Sequence, residues 1–114
     1  MSTFDTLIIG HLVGDFMLQN NWMASQKAIS WVARLVHSTI YALAICLFAW
    51  IFSIGLTFSG FLVVISSHFI IDKRILVPWW VATVMKTKGP ESNWLEIVVD
   101  QIFHLLFLTI AIHI

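Results

Sequence analysis

Three histidine–aspartate pairs, each four residues apart, lie inside strongly apolar stretches of this chain. They are His11 with Asp15, His68 with Asp72, and Asp100 with His104. Residues i and i+4 share one face of an α-helix, so each pair is predicted to present two metal-ligating side chains in one direction. Ionisable side chains are costly at membrane depth, and they usually face the interior of a helix bundle and serve a function there. The pairs therefore predict a polar site inside a bundle of apolar helices.

The composition is typical of an integral membrane protein. Hydrophobic residues make up 60% of the 114-residue chain and charged residues 11%, whereas soluble domains contain about 25% charged residues. The formal net charge is zero, so no nucleic-acid partner is expected. The length is that of one domain, and residues 1–114 are predicted to form a single membrane domain in contact with lipid.

Four apolar segments predict an all-α fold, a four-helix transmembrane bundle. A membrane span needs about 20 mainly apolar residues. The predicted spans cover roughly residues 3–19, 30–53, 57–76 and 94–114. The sequence around Pro78, Trp79 and Trp80 predicts a short interfacial helix between the third and fourth spans. Residues 20–29 are predicted to form a polar linker between the first two spans.

Basic residues determine the predicted orientation. All six fall in or beside the first and third connections, at Lys27, Arg34, Lys73, Arg74, Lys86 and Lys88. Basic residues near span ends are retained on the cytoplasmic side. These two connections are therefore predicted to be cytoplasmic, with both termini outside the cytoplasm. Lys27, Lys86 and Lys88 are interpreted as surface anchors.

The predicted spans bring four histidines and three aspartates to one depth near the cytoplasmic face. The seven are His11, Asp15, His37, His68, Asp72, Asp100 and His104. Imidazole and carboxylate ligands suit zinc, manganese and iron, and seven candidates exceed the four ligands of one tetrahedral zinc. The set therefore predicts one or two divalent metal ions. One interpretation is a dinuclear site, and another is a single metal with some aspartates orienting the histidines. Without metal, the same residues would relay protons or lock the helices together by hydrogen bonds.

Four further residues are predicted to bind substrate: Gln19, Arg34, Lys73 and Gln101. Gln19 continues the helical stripe of the first pair by one turn, and Gln101 adjoins the third pair, so their amides are placed to orient ligands or substrate. Arg34 or Lys73 would neutralise an anionic group such as a phosphate. The simpler interpretations are headgroup contact for Arg34 and a topology signal for Lys73.

Several short segments resemble a known family. They are HLVGDFMLQ at 11–19, SHFIID at 67–72 and DQIFH at 100–104, together with Trp22, Lys27 and His37. The pattern resembles DUF3307, a family of small bacterial and phage membrane proteins of unknown function, over nearly the whole chain. The resemblance implies an integral membrane protein whose signature residues are these His, Gly, Asp and Gln positions. A looser likeness to small membrane-bound metal-dependent hydrolases lies in the placement of His and Asp near helix ends.

The leading functional hypothesis is a metal-dependent membrane hydrolase that acts at the cytoplasmic leaflet. A bound metal would activate water as the nucleophile. One of Asp15, Asp72 and Asp100 would serve as the general base. A phosphate-bearing lipid or small molecule suits this location as substrate.

Two alternatives belong to other functional classes. The first is a proton or ion transporter or channel subunit. It would require a homo-oligomer, because one chain of 114 residues is small for alternating access, and Gly10, Gly14 and Ala42 are the small residues predicted to lie on its interfaces. The second is a non-catalytic membrane module in which the His/Asp cluster, with or without metal, is structural.

Overall fold

The chain is helical throughout the part that the structure, a computed structural model, describes, which is residues 2–114. Six α-helices and one π-helical segment follow one another: α1 (Thr3–Leu12), the π segment (Val13–Met17), α2 (Asn21–Gln26), α3 (Trp31–Ile51), α4 (Phe58–Ile71), α5 (Leu76–Thr83) and α6 (Glu91–Ile112). The predicted all-α class is confirmed over this range.

Side-chain caps explain where three of the helices begin. The Ser2 hydroxyl accepts a hydrogen bond from the Asp5 amide at the start of α1. The Ser30 hydroxyl accepts from the Ala33 amide at the start of α3. Thr57 does the same for the Gly60 amide of α4. Such caps satisfy backbone donors that have no partner inside the helix.

The connection of residues 20–29 differs from the predicted polar linker, because it contains the helix α2. The Asn20 side chain accepts from the Met23 amide at 2.9 Å and so starts this helix. Met23 is buried and anchors α2 against α3. Lys27 is the residue at which α2 ends. A short helix, α5, also lies where one is predicted between the third and fourth apolar segments, with Pro78 in its first turn.

Two helices, α3 and α6, are long and apolar enough to cross a membrane. α4 is apolar but has only 14 residues, and α1 has 10 before the π segment continues it. Both fall short of the roughly 20 residues of a full span. Helix length therefore supports two membrane-crossing helices, and the four-span arrangement stays a prediction.

Two apolar cores hold the bundle together, and the polar residues lie between them. The first core joins α1, α3, α4 and α6 and includes Val64 and Leu108. The second joins α4, α5 and α6 and includes Ile71 and Val99. Along α6, the order is Val99, then the buried His104, then Leu108. The fold therefore places a layer of polar side chains between two layers of hydrocarbon.

The outer surface of the bundle is more apolar than this layer of its interior. Ile102, Leu106 and Ile110, one turn apart on α6, are 49%, 54% and 49% exposed. On α3, Leu43 and Leu47 are exposed in the same way. Soluble monomers rarely expose apolar patches of more than a few hundred Å². Buried histidine and aspartate beneath exposed leucine and isoleucine is the distribution expected of helices in lipid.

Small residues bring the helices into contact within one chain. Gly14 packs so closely on α3 that a Cβ there would lie 3.1 Å from the Ala44 Cβ and 3.2 Å from the Tyr41 Cα. A Cβ on Gly10 would lie 3.2 Å from the Phe48 Cβ. Ala42 is fully buried in the first core. The prediction that Gly10, Gly14 and Ala42 line an oligomer interface is therefore wrong, because the monomer itself uses them for close helix packing.

Gly14→Val is expected to lower the thermal unfolding midpoint of the protein in detergent. The larger side chain cannot enter the gap beside Tyr41 and Ala44 without moving α3, and such overpacking costs about 1–3 kcal/mol. Gly55→Val is the matched control, because a Cβ at Gly55 meets nothing within 4 Å. Equal midpoints for the two variants would show that the first helix does not pack on α3 as described.

Candidate metal centre

Four buried side chains from separate parts of the chain meet at one point. Asp15 comes from the π segment, His37 from α3, His68 from the last turns of α4, and Asp72 from the residue that ends α4. Each is 2% exposed or less. One ligating atom of each lies within 4.8 Å of those of the other three. We call this set the four-residue group.

The distances in the four-residue group suit coordination. The Asp15 Oδ1 lies 3.0 Å from the His37 Nε2 and 3.1 Å from the His68 Nε2. The Asp72 Oδ2 lies 3.3 Å from the His37 Nε2 and 3.2 Å from the His68 Nδ1. Bonds of about 2.0–2.2 Å to a tetrahedral metal place neighbouring ligand atoms roughly 3.3–3.6 Å apart. The donors therefore lie within a few tenths of an ångström of the separation that a metal ion would require.

A second set of donors, the three-residue group, lies beside the first. It consists of Asp15, Asp100 and His104, whose ligating atoms also lie within 4.8 Å of one another. The His104 Nε2 is 3.4 Å from the Asp100 Oδ2 and 3.5 Å from the Asp72 Oδ1. Asp15 belongs to both groups, and Asp72 contacts both with its two oxygens. The Asp100 side chain is 18% exposed, so it forms the accessible edge of the centre.

His11 lies beside these groups with both ring nitrogens hydrogen-bonded to protein. Its Nε2 is 2.7 Å from the Gln101 Oε1, and its Nδ1 is 2.7 Å from the Tyr41 hydroxyl. The amide oxygen can only accept, so the Nε2 carries the proton and the Nδ1 accepts from Tyr41. Gln101 in turn donates to the Asp15 Oδ2 and the Asp100 Oδ2, each at 3.1 Å. His11 therefore orients the amide that holds two carboxylates of the centre.

His11 and Asp15 both face the Gln101 amide, which accepts from the His11 Nε2 and donates to the Asp15 Oδ2. The Leu18 amide donates to the Val13 carbonyl at 3.0 Å and closes a π turn across Val13–Met17. This turn has one more residue than an α-helical turn and directly continues α1. Asp15 also contacts His37 of α3 and His68 of α4. π-helical turns of this kind occur often at functional sites.

The other two predicted pairs keep their α-helical spacing and make direct contacts. The His68 Nδ1 lies 3.2 Å from the Asp72 Oδ2, and Asp100 contacts His104 at 3.4 Å. His37, predicted as a single ligand, lies between two carboxylates of the four-residue group. The structure therefore joins all seven predicted residues in one network, six through direct His–Asp contacts and His11 through Gln101.

The predicted substrate residues lie at different distances from this network. Gln101 is inside it. Arg34 is buried, donates from Nη1 to the Lys27 carbonyl at 3.3 Å, and stacks its guanidinium 4.5 Å from the centre of the Phe69 ring. Lys73 is exposed, and lines a surface cavity together with Arg34. Gln19 is half-buried beyond the π segment, and its Oε1 has no hydrogen-bond partner among residues 2–114.

Three residues of the site were not among the predicted ligands or substrate residues. The Lys27 Nζ lies 3.7 Å from the Asp72 Oδ2, and its side chain is only 12% exposed, so the interpretation of Lys27 as a surface anchor is wrong. The Tyr41 ring stacks on His68 with centroids 4.0 Å apart, and the Ser38 Oγ lies 3.3 Å from the His68 Nδ1. The sequence contained a signal for the place of Tyr41 in the site, since it is the only tyrosine and lies one helical turn after His37.

Two ligating atoms of this donor set have no hydrogen-bond partner among the residues that the structure describes. Within residues 2–114, the Asp72 Oδ2 and the His104 Nε2 are buried and have no partner at hydrogen-bond geometry. A buried polar atom left in this way costs about 1–3 kcal/mol. Both atoms belong to the network of carboxylates and imidazoles, and such mixed ligands suit divalent metals. The buried His/Asp groups could therefore hold a metal ion.

One protein family matches nearly the whole chain. The sequence model of the family described as "Protein of unknown function (DUF3307)" matches residues 3–114. No curated protein and no solved structure gives a significant match. The segments that carry the resemblance contain the residues of the centre, with the π segment at one end and the Asp100–His104 turn of α6 at the other. The chain belongs to the DUF3307 family.

Proposed function

We propose that this protein is a membrane-embedded, metal-dependent hydrolase with its metal centre near the cytoplasmic face. The observation that carries the proposal is that two groups of buried His and Asp donors share Asp15. A shared carboxylate is the usual bridge in two-metal sites built between helices. The proposed centre therefore holds two divalent ions, drawn from zinc, manganese and iron.

The proposed setting is a four-span bundle in a bacterial inner membrane. α1 with the π segment and α4 are short, and both pack along the longer α3. Short helices are accommodated in a bilayer by local thinning and by flanking residues that reach the interface. The basic residues lie on the connections at the same end as the metal centre, including Lys27, Lys73 and Arg74. This end is proposed to be cytoplasmic, and both termini then lie outside.

Asp100 is the proposed general base. It is the most accessible carboxylate of the centre, and it lines a cavity of about 10 Å³ with Arg74, Pro78 and Glu96. That volume is about the smallest that holds one water molecule. The Asp100 Oδ1 would take the proton of a water in this cavity, and the Oδ2, which faces His104 and accepts from Gln101, is the oxygen that would bind the second metal ion. When bound, the divalent metal supplies Lewis acidity and makes water a stronger nucleophile.

A proton relay is the second candidate function, and the burial of most side chains of the centre favours it. The side-chain contacts run from the partly exposed Asp100 to His104, then to Asp72 and His37. Intramembrane chains of aspartate and histidine carry protons in pumps and transporters. Proton flux into proteoliposomes, followed with a pH-sensitive dye and lost in His104→Ala, would favour the relay over the hydrolase.

Substitution of the centre is expected to abolish hydrolysis of phosphate esters by the purified, metal-loaded protein. Asp15→Asn and His68→Ala each remove a donor of the four-residue group, and a loss of at least about 100-fold in turnover is expected. The measurement is a screen of phosphatase and esterase substrates in detergent micelles. His113→Ala is the control, since His113 is exposed beyond α6. Turnover that survives both substitutions would remove the assigned site.

A further inference from the structure

A groove on the outside of the bundle, between α4 and α5, combines two cations with an apolar wall. It has a volume of about 500 Å³ and is lined by Arg34, Lys73 and apolar side chains that include Phe69, Ile70 and Trp79. Ile70 and Trp79 are more than half exposed. We call this feature the α4–α5 groove. Its lining is cationic on one part and hydrocarbon on the rest.

Arg34 supplies a donor that the protein itself does not use. The residue is only 7% exposed, and its guanidinium is held in place by Phe69 and by the Lys27 carbonyl. The buried Nε has no hydrogen-bond partner in the described part of the chain. An arginine with a free donor and a fixed plane suits a phosphate oxygen. Lys73 adds a second, mobile positive charge at the same groove.

We propose that the α4–α5 groove binds a lipid with a phosphate monoester headgroup, and that this lipid is the substrate class of the metal centre. The phosphate would lie on Arg34 and Lys73, and the hydrocarbon chain would follow Ile70 and Trp79. A small soluble phosphate would leave the apolar wall of the groove unused. The second half of this proposal rests on the proposed hydrolase function.

Lys27 connects the groove with the centre. Its carbonyl accepts from Arg34, and its ammonium lies 3.7 Å from the Asp72 Oδ2. Lys27 is therefore the residue that contacts both Arg34 of the groove and Asp72 of the four-residue group. Arg34, in the first turn of α3, and Lys73, which follows α4, lie in or beside the connections that the positive-inside rule places at the cytoplasmic leaflet.

Native mass spectrometry of the delipidated protein in detergent with chelator tests the groove without any turnover. Phosphatidic acid is expected to be retained, and phosphatidylcholine to be retained much less. Lys73→Gln is expected to weaken phosphatidic acid binding roughly fivefold, and Arg34→Gln to weaken it further. Lys88→Gln removes an exposed cation outside the groove and should change binding less than twofold. Lys73 is exposed, so its variant keeps the test valid if Arg34→Gln fails to fold.

Three results would overturn the groove assignment. Equal weakening of phosphatidic acid binding by Lys73→Gln and Lys88→Gln would mean a general attraction to positive charge. Equal retention of the two lipids would mean an adventitious hydrocarbon contact. Full competition by inorganic phosphate would mean a site for free phosphate. Asp15→Asn separates the two proposals, because it should bind phosphatidic acid like the wild type. Lipid binding without turnover in the wild type would reject the hydrolase, and metal-dependent turnover of soluble esters without lipid binding would reject the groove.

Discussion

Asp15→Asn is expected to remove tight metal binding from both groups of donors at once. Asp15 is the residue that the four-residue and three-residue groups share, and an amide is a poor substitute for a bridging carboxylate. The loss of metal affinity should be at least about 100-fold. That value is the upper end of the loss seen when a residue that only orients a metal ligand is mutated. Metal content after dialysis at fixed free zinc, manganese or iron, measured by plasma mass spectrometry, checks this result.

A comparison with Asp100→Asn makes this prediction sharper. Asp100 belongs only to the three-residue group, so its loss should leave the metal of the four-residue group in place. Asp5→Asn is the control, because Asp5 is exposed at the start of α1. Wild-type metal content in Asp15→Asn, or equal losses in Asp15→Asn and Asp100→Asn, would contradict the assignment of Asp15 as the shared ligand.

Metal removal is expected to produce the largest change in stability. A ligand that binds only the folded state adds about 4 kcal/mol at a concentration 1,000 times its dissociation constant. Chelation should therefore lower the thermal unfolding midpoint of the wild-type protein by several degrees or more. The effect should vanish in Asp15→Asn, because Asp15 belongs to both groups of donors.

His113→Ala should show the full effect of chelation, since it leaves the centre intact. A wild-type midpoint that does not respond to chelator or to added metal would favour the structural alternative, in which the cluster is a set of hydrogen bonds. The short His–Asp distances of 3.0–3.3 Å are compatible with such bonds, and the metal response is therefore the discriminating quantity.

Helical periodicity made part of the centre predictable. His68 with Asp72, and Asp100 with His104, are contacts that follow from the spacing of an α-helix. His11 and Asp15 have the same spacing, but they meet through the Gln101 amide rather than directly, and a π turn follows His11. The turn sequence VGDFM carries no clear signal for a π-helix. The turn forms where Gly14 lets the chain approach α3 closely, which is a property of the tertiary packing.

Contacts between distant segments were beyond prediction from the sequence. Lys27 reaches Asp72 because α2 forms in the first connection and ends beside α4. Gln101 joins three residues of the centre because α6 is rotated to face α1. Neither the rotation of a helix about its axis nor the docking of a short helix follows from apolar periodicity alone.

The end of the third apolar segment also differs from its predicted position near residue 76. α4 stops at Ile71, and Arg74 has a φ of 60°, in the left-handed region. This conformation usually favours glycine, and the segment Asp72–Lys73–Arg74 contains none. The turn allows α5 to start at Leu76 and cover the second core. The end of α4 therefore coincides with the start of the charged run at residues 72–74.

Anomalous X-ray diffraction at the absorption edge of the bound metal, from crystals of the reconstituted protein, tests the central claim most directly. The account predicts an anomalous peak about 2.0–2.2 Å from ligating atoms of Asp15, His37, His68 and Asp72, with a second peak beside Asp100 and His104. Stoichiometric metal located elsewhere, or no peak among these residues after reconstitution with zinc, manganese and iron, would contradict it.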